Sequence, residues 1–135
     1  MKACTEASRS AFIFASQAAG VLENARLFGE HRLRATTDGL TGLYNRHGVL
    51  LEAENRFGAG RPCRTTYIDL DGVKGINDRL GHHFGDITIQ TAAQRITSCL
   101  PDGAIAGRMG GDEFIVFADM VHEDLPERLR LALGD

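Results

Sequence analysis

Two adjacent acids in a glycine turn separate two short apolar segments near the end of the chain. The turn is Gly110–Glu113, and the segments are Ala104–Ala106 and Phe114–Phe117. This arrangement predicts a β-hairpin, because glycine adopts tight-turn backbone angles at little steric cost and lets a ligand's phosphates approach the backbone. Asp112 and Glu113 would then stand at the hairpin tip, which is a suitable place to hold a metal ion.

A second strand pattern also ends in acids. The short run from Tyr67 to Leu70 is apolar apart from Asp69, and Asp71 follows it directly. Either acidic motif by itself is also typical of a solvated turn or a helix cap. Brought together in one sheet, however, the two acidic strand ends would form an oxygen-rich site suited to a hard cation such as Mg²⁺.

Composition limits the kind of partner. The chain has 135 residues, of which 15 are basic and 18 acidic, so its formal net charge of -3 provides no general attraction for nucleic acid or an anionic membrane. A small ligand bound locally is therefore expected. Cys4, Cys63 and Cys99 are widely spaced without a Cys-x-x-Cys pair, which fits a reducing cytoplasm, and no membrane segment is predicted.

The first part of the chain is predicted to form one long helix, from about Ser10 to Ala35. Its apolar residues follow a 4-3-4-3 spacing, at Phe14, Ala18, Val21, Ala25 and Phe28. That spacing is typical of a two-helix contact, but a single amphipathic helix packed on its own domain fits equally well. We assign residues 1–36 to a linker or signalling helix.

The remaining residues alternate between helix and strand patterns in the order β-α-β-β-α after a first helix that ends near Phe57. The predicted elements are a strand at Arg64–Leu70, a helix at Val73–Arg79, a turn at Leu80–Gly85, a helix at Asp86–Cys99, the hairpin, and a helix at Glu123–Leu133. Four phenylalanines are predicted to lie in the core: Phe57, Phe84, Phe114 and Phe117. The predicted fold is α+β, a ferredoxin-like or palm-type antiparallel sheet with flanking helices, lacking its final strand.

Three motifs in order resemble those of the GGDEF domains, the diguanylate cyclases of bacterial signalling. They are Asp38–Arg46, Asp69–Asp86 and Arg108–Phe114, and the resemblance covers about Thr36 to Asp119. It implies a domain at residues 37–135 that joins two GTP molecules into cyclic di-GMP and releases pyrophosphate, in an antiparallel homodimer whose protomers each hold one GTP. Residues 17–28 also resemble the closing helix of a GAF sensor domain, which implies an upstream sensor.

The same resemblance implies a role for each site residue. Mg²⁺, with Mn²⁺ as a possible substitute, would be bound by Asp69, the backbone carbonyl of Leu70 and Asp112, while Glu113 would be a second-metal ligand or general base. Asn77 and Asp86 would bind the guanine edge, and Lys74 and Arg108 would meet the phosphates. The residue types suit that chemistry, because carboxylates are hard ligands and can also accept the two N–H groups of the guanine edge.

The chain departs from the family pattern in two places. An Arg-x-x-Asp pair that binds inhibitory product in many relatives is replaced by Pro101 and Ala104, so product inhibition is not expected. After Asp135 the family pattern continues with another strand, a helix and a phosphate-binding Lys; without that strand, one edge of the strand carrying Asp69 would be bare. Two alternatives to a cyclase thus stay open: a GTP-binding module without turnover, and a dimerisation module built on the N-terminal helix.

Overall fold

The computed structural model describes residues 20–27, 29, 35–58 and 60–134. Contacts divide the chain into two units, Met1–Arg34 and Ala35–Asp135. The elements of the second unit are α1 (Arg46–Phe57), β1 (Cys63–Asp69), α2 (Val73–Leu80), α3 (His82–Cys99), β2 (Ile105–Gly110), β3 (Glu113–Asp119) and α4 (Leu125–Leu133). Their order confirms the predicted α+β fold.

In the first unit, residues 20–27 and 29 are helical, as predicted. Val21 lies on the proposed seam and is 68% exposed. Ala25, also on the seam, is exposed as well, and the remaining seam residues Phe14, Ala18 and Phe28 lie outside the described residues, so the two-helix contact stays a prediction. No helix in the described part of the chain has both the length and the apolar character needed to cross a membrane.

The three strands form one antiparallel sheet in the order β1-β3-β2. In the β1–β3 register, Cys63 pairs with Asp119 at one end and Asp69 pairs with Glu113 at the other. On the outer side of β2, the carbonyl of Tyr44 accepts a hydrogen bond from the backbone N–H of Arg108 at 2.8 Å. Among the described residues, β1 has a neighbouring strand on one side alone, as the sequence predicts.

Both faces of the sheet are covered at β2 and β3, whose consecutive residues are buried on both sides, whereas alternate residues of β1 are exposed. Phe114 and Val116 point from β3 into a core with Ile96 of α3 and Leu125 of α4. On the opposite face, Ile105, Ile115 and Phe117 pack with Val49 of α1. Gly107 allows this close approach, since a side-chain Cβ there would overlap the side chain of Val49.

The structure corrects two predictions around the second motif. The predicted turn at 80–85 is in fact a break at Gly81 alone, with φ 92° and ψ 163°, after which α3 begins at His82 instead of Asp86. Gly85 therefore lies inside a helix. Phe84, predicted to be in the core, is 48% exposed on the first turn of α3, whereas Phe114 and Phe117 are buried as predicted.

Candidate functional site

The end of β1 and the glycine turn lie side by side, as the two acidic motifs predict. Asp69 and Glu113 are directly opposite each other in the antiparallel register. One residue further on, the backbone N–H of Leu70 donates to the carbonyl of Asp112 at 3.0 Å. Strand pairing thus places the backbones of all four predicted metal-site residues together, at the end of the sheet where β1 stops and β3 begins.

Two acidic residues, Asp69 and Glu113, occupy directly opposite positions of the strand pair. Residues directly opposite in an antiparallel pair share a face, and like charges there are destabilising. Asp69 and Glu113 are both exposed, while Asp112 is half-buried. A divalent cation would relieve that repulsion, and the donor set of carboxylate and carbonyl oxygens is the kind that Mg²⁺ prefers.

Within the described ranges, no three His, Cys, Asp or Glu side chains converge closely enough to hold a metal ion by themselves. Mg²⁺ in nucleotide-binding sites is commonly held by one or two carboxylates together with phosphate oxygens and water. The metal roles predicted for Asp69, Leu70, Asp112 and Glu113 stay predictions.

The start of α2 follows directly from β1. Gly72 takes the left-handed conformation, with φ 83°, and no side chain caps the helix there. The first N–H groups of a helix have no partner within that helix, so they can bind an anion. Lys74 is exposed in this first turn, which is compatible with its predicted contact with phosphates.

The two residues predicted to bind guanine are brought together by helix packing. The side chain of Asn77, in α2, lies against the backbone of Gly85, in α3, so closely that a Cβ on residue 85 would overlap its amide. The amide oxygen Oδ1 of Asn77 is buried and has no hydrogen-bond partner. Asp86 is the next residue after Gly85 and is exposed.

Arg108 has protein partners at every nitrogen of its guanidinium group. Nε and Nη2 donate to the carbonyl of Gly111 at 2.9 and 2.7 Å. Nη1 lies 3.3 Å from both carboxylate oxygens of Asp38, and the two side chains are only 16% and 19% exposed. The predicted contact of Arg108 with phosphate stays a prediction beside these observed contacts.

The Asp38 carboxylate is held within its own loop as well. Its Oδ2 accepts hydrogen bonds from the backbone N–H of Thr41 at 2.9 Å and from the Thr41 hydroxyl at 2.7 Å. Burial raises the pKa of Asp38, but the Thr41 hydrogen bonds and the charge of Arg108 outweigh it and hold the pKa below its ordinary value of 3.8. Asp38 is therefore a fixed anion next to the signature turn.

A cavity of about 650 Å³ runs along the free side of β1. It is lined by Thr66 and Ile68 of β1 together with residues of α3 and α4, and it reaches the site only at Asp69, Leu70 and Asp71. The other predicted site residues lie outside it. This cavity therefore lies beside the candidate site and does not enclose it.

Asp38 and Gly85 have no role predicted from the sequence, although both lie within the family motifs. Asp38 followed by Thr41 is a recognisable turn signal, since Asp side chains often accept hydrogen bonds from residues just ahead. Gly85 was interpreted as a turn residue, and its sequence neighbours contain no indication that it contacts Asn77.

Comparison with known proteins identifies the family. Residues 35–133 match the family described as "Diguanylate cyclase, GGDEF domain". An uncharacterised protein of Mycobacterium tuberculosis is 42% identical over 121 residues, which are 82% of this chain and 19% of that protein. The diguanylate cyclase DgcP of Escherichia coli is 39% identical over 84 residues, 59% of this chain and 25% of that protein.

A third relative has a different named activity. The cyclic di-GMP phosphodiesterase PdeR of Escherichia coli is 33% identical over 111 residues, 81% of this chain and 17% of that protein. The chain thus spans a quarter or less of the length of these relatives.

Solved structures agree with the sequence relatives. The coiled coil and GGDEF domain of DgcB from Caulobacter crescentus, in complex with c-di-GMP, matches with a TM-score of 0.78 and 28% identity, covering 88% of this chain and 65% of that one. A sensory box/GGDEF family protein from the same organism matches with a TM-score of 0.65 and 38% identity, covering 75% and 71%. The chain therefore belongs to the GGDEF domain family of diguanylate cyclases.

Proposed function

We propose that this chain carries out the Mg²⁺-dependent condensation of two GTP molecules into cyclic di-GMP, in bacterial second-messenger signalling. The observation that carries the proposal is the β1–β3 register, which sets Asp69 opposite Glu113 and joins Leu70 to Asp112. A sheet edge with three acids and an adjacent uncapped helix start can receive a nucleotide triphosphate with its cation.

The proposed reaction forms two phosphodiester bonds. In each, the 3′-hydroxyl oxygen of one GTP attacks the α-phosphorus of the other, the bond from that phosphorus to the oxygen bridging toward the β-phosphate breaks, and pyrophosphate leaves with the electron pair. The hydroxyl proton passes to Glu113 or to water. When bound, Mg²⁺ or Mn²⁺ would screen the phosphate oxygens and favour ionisation of the hydroxyl.

The remaining residues would bind and orient GTP. Asp86 can accept two hydrogen bonds from the guanine edge, where adenine offers no matching pair of donors, so it would select the base. Asn77 can add a hydrogen-bond donor or acceptor at the same edge. Lys74 would neutralise phosphate charge, and with one GTP in each protomer the reaction requires a homodimer.

The test is product formation from GTP and Mg²⁺, followed by chromatography for cyclic di-GMP and pyrophosphate. We expect a rate that rises more than proportionally with protein concentration, because two copies must meet. Asp69→Asn and Glu113→Gln should each lower the rate at least about 100-fold. The matched control is Asp119→Asn, an exposed acid at the opposite end of β3, which should keep the parent rate. Equal activity in all four proteins would refute the proposed site.

A second candidate function is GTP binding without turnover, signalling to a partner domain. It is favoured by the relative named as a phosphodiesterase, in which a stretch similar to this chain belongs to a protein of another named activity. In that case GTP should raise the thermal midpoint without forming product, since a ligand at 100 times its Kd adds about 2.7 kcal/mol to the free energy of unfolding. Asp86→Ala should abolish the rise. No thermal shift with GTP would exclude this function.

A further inference from the structure

The conformation of the signature turn is maintained by Arg108. Gly111 has φ 47°, in the left-handed region, and Gly110 has φ 158°. The carbonyl of Gly111 accepts two hydrogen bonds from the Arg108 guanidinium, at 2.9 and 2.7 Å. Because a peptide unit is planar, a fixed Gly111 carbonyl also fixes the N–H of Asp112 and the direction in which that residue leaves the turn.

The backbone of Asp112 is held on its other side too. Its carbonyl accepts the hydrogen bond from the N–H of Leu70 at 3.0 Å. Asp112 thus lies between two anchored peptide groups, one bonded to β1 and one bonded to Arg108. Both anchors hold the backbone from which its side chain extends.

Arg108 is oriented in turn by Asp38. The Asp38 carboxylate lies 3.3 Å from Nη1, and the Thr41 bonds hold that carboxylate in place. The backbone N–H of Asp38 donates to Leu43 at 2.7 Å, and the carbonyl of Tyr44 is bonded to the N–H of Arg108. The loop and β2 therefore form one continuous hydrogen-bonded unit behind the turn.

We propose that Asp38 and Arg108 are a pair of positioning residues that set the direction of the Asp112 carboxylate, with Arg108 acting on the turn and Asp38 acting on Arg108. This inference rests on the proposed function of Asp112 as a metal ligand. It differs from a phosphate-binding role for Arg108, because each nitrogen of the guanidinium already has a protein acceptor.

Arg56 provides a matched control for the Arg108→Lys variant. Arg56 also joins a carboxylate to a glycine carbonyl, with Nε 2.7 Å from Glu52 and Nη1 3.3 Å from the carbonyl of Gly103. None of these three residues belongs to the candidate site; the Arg56 side chain also interacts with that of Tyr44, whose backbone carbonyl is the group bonded to Arg108. Lysine keeps the charge of arginine but loses its planar fork, so Arg108→Lys and Arg56→Lys make the same chemical change at and away from the turn.

The first measurement is amide hydrogen exchange, which does not depend on turnover. In Arg108→Lys and in Asp38→Asn we expect the Leu70 amide to exchange at least about 10-fold faster than in the parent, because its acceptor in the turn is less firmly held. Arg56→Lys should leave the Leu70 amide at the parent rate. Unchanged exchange in both Arg108→Lys and Asp38→Asn would overturn the proposal.

The second measurement is Mn²⁺ binding with a non-hydrolysable GTP analogue, followed by the electron paramagnetic resonance signal of free Mn²⁺. Loss of a residue that orients a metal ligand weakens metal affinity or activity by about 10- to 100-fold. We expect that loss in Arg108→Lys and Asp38→Asn, with a similar fall in kcat and a change of less than about threefold in KM for GTP. The double variant should lose no more than Arg108→Lys alone.

The alternative roles give different results. If Arg108 binds phosphate, Arg108→Lys will raise KM for GTP and Asp38→Asn will not weaken Mn²⁺ binding; that outcome overturns the proposal. If the parent protein forms no cyclic di-GMP, the proposed cyclase function fails. The exchange rates and the Mn²⁺ affinities still decide the positioning role in that case.

Discussion

Two glycine-to-alanine changes in neighbouring helices should have opposite effects on stability. Alanine is favoured over glycine in a helix interior by roughly 0.5–1 kcal/mol. At Gly75 the added Cβ would meet a single atom, Nη2 of Arg79, at 3.9 Å. Gly75→Ala should therefore raise the free energy of unfolding by roughly 0.5–1 kcal/mol.

At Gly85 the same change meets the amide of Asn77. A Cβ there would lie 2.7 Å from Cγ and 3.1 Å from Nδ2 and would overlap Oδ1. Overpacking of this kind costs about 1–3 kcal/mol, which outweighs the gain in helix propensity. We expect Gly85→Ala to be less stable than Gly75→Ala by about 1–3 kcal/mol, which separates their thermal midpoints by about 4 °C or more.

The assay is urea and thermal denaturation of both variants, repeated in an Asn77→Ala background. Asn77→Ala removes Cγ, Oδ1 and Nδ2, so Gly85→Ala should become stabilising there, as Gly75→Ala is in the parent. If Gly85→Ala already stabilises the parent, or still destabilises the Asn77→Ala protein, the close packing of Asn77 on Gly85 is refuted. Under the proposed function, Gly85→Ala should also weaken GTP binding, because it displaces Asn77.

Three further predictions concern packing and charge. Gly107→Ala should lower the free energy of unfolding by about 1–3 kcal/mol, because a Cβ would overlap the Cβ of Val49 and lie 2.6 Å from its Cγ1. Val49→Gly in the same chain removes both atoms and should recover part of the loss, so purely additive effects would contradict this contact. Leu125→Ala removes a fully buried side chain and should lower the free energy of unfolding, measured by urea denaturation, by about 2–5 kcal/mol. The control Leu131→Ala, at a 65% exposed position, should change it by less than about 0.5 kcal/mol. Similar losses of stability in the two variants would place Leu125 outside the core. The pKa of Asp38 is lowered on folding, so its contribution to stability is complete above about pH 4 and is lost as the pH falls through the folded-state pKa. The free energy of unfolding, measured from pH 6 to pH 2, should therefore fall less in Asp38→Asn than in the parent. An identical pH profile in the two proteins would argue against the ion pair.

Short-range patterns predicted most of the elements. The hairpin follows from two apolar runs around Gly110 and Gly111, β1 and α2 lie within about a residue of their predicted bounds, and α1 ends at Phe57 as predicted. The start of α3 was predicted four residues late, at Asp86 instead of His82. Gly85 in the predicted turn is the reason, since a glycine kept for close packing has the same sequence signal as a glycine kept for a turn.

The sequence by itself determined which acids end the strands, which residues match the family motifs and that the domain is α+β, because these depend on residues near one another along the chain. Only the tertiary structure decided that Asp69 faces Glu113, that Asn77 packs on Gly85, and that Arg108 bonds to Asp38, 70 residues away. Strand register and helix packing bring such residues together, and no local pattern encodes them. The partners of Arg108 therefore became visible only once β2 and the loop beside it were in place.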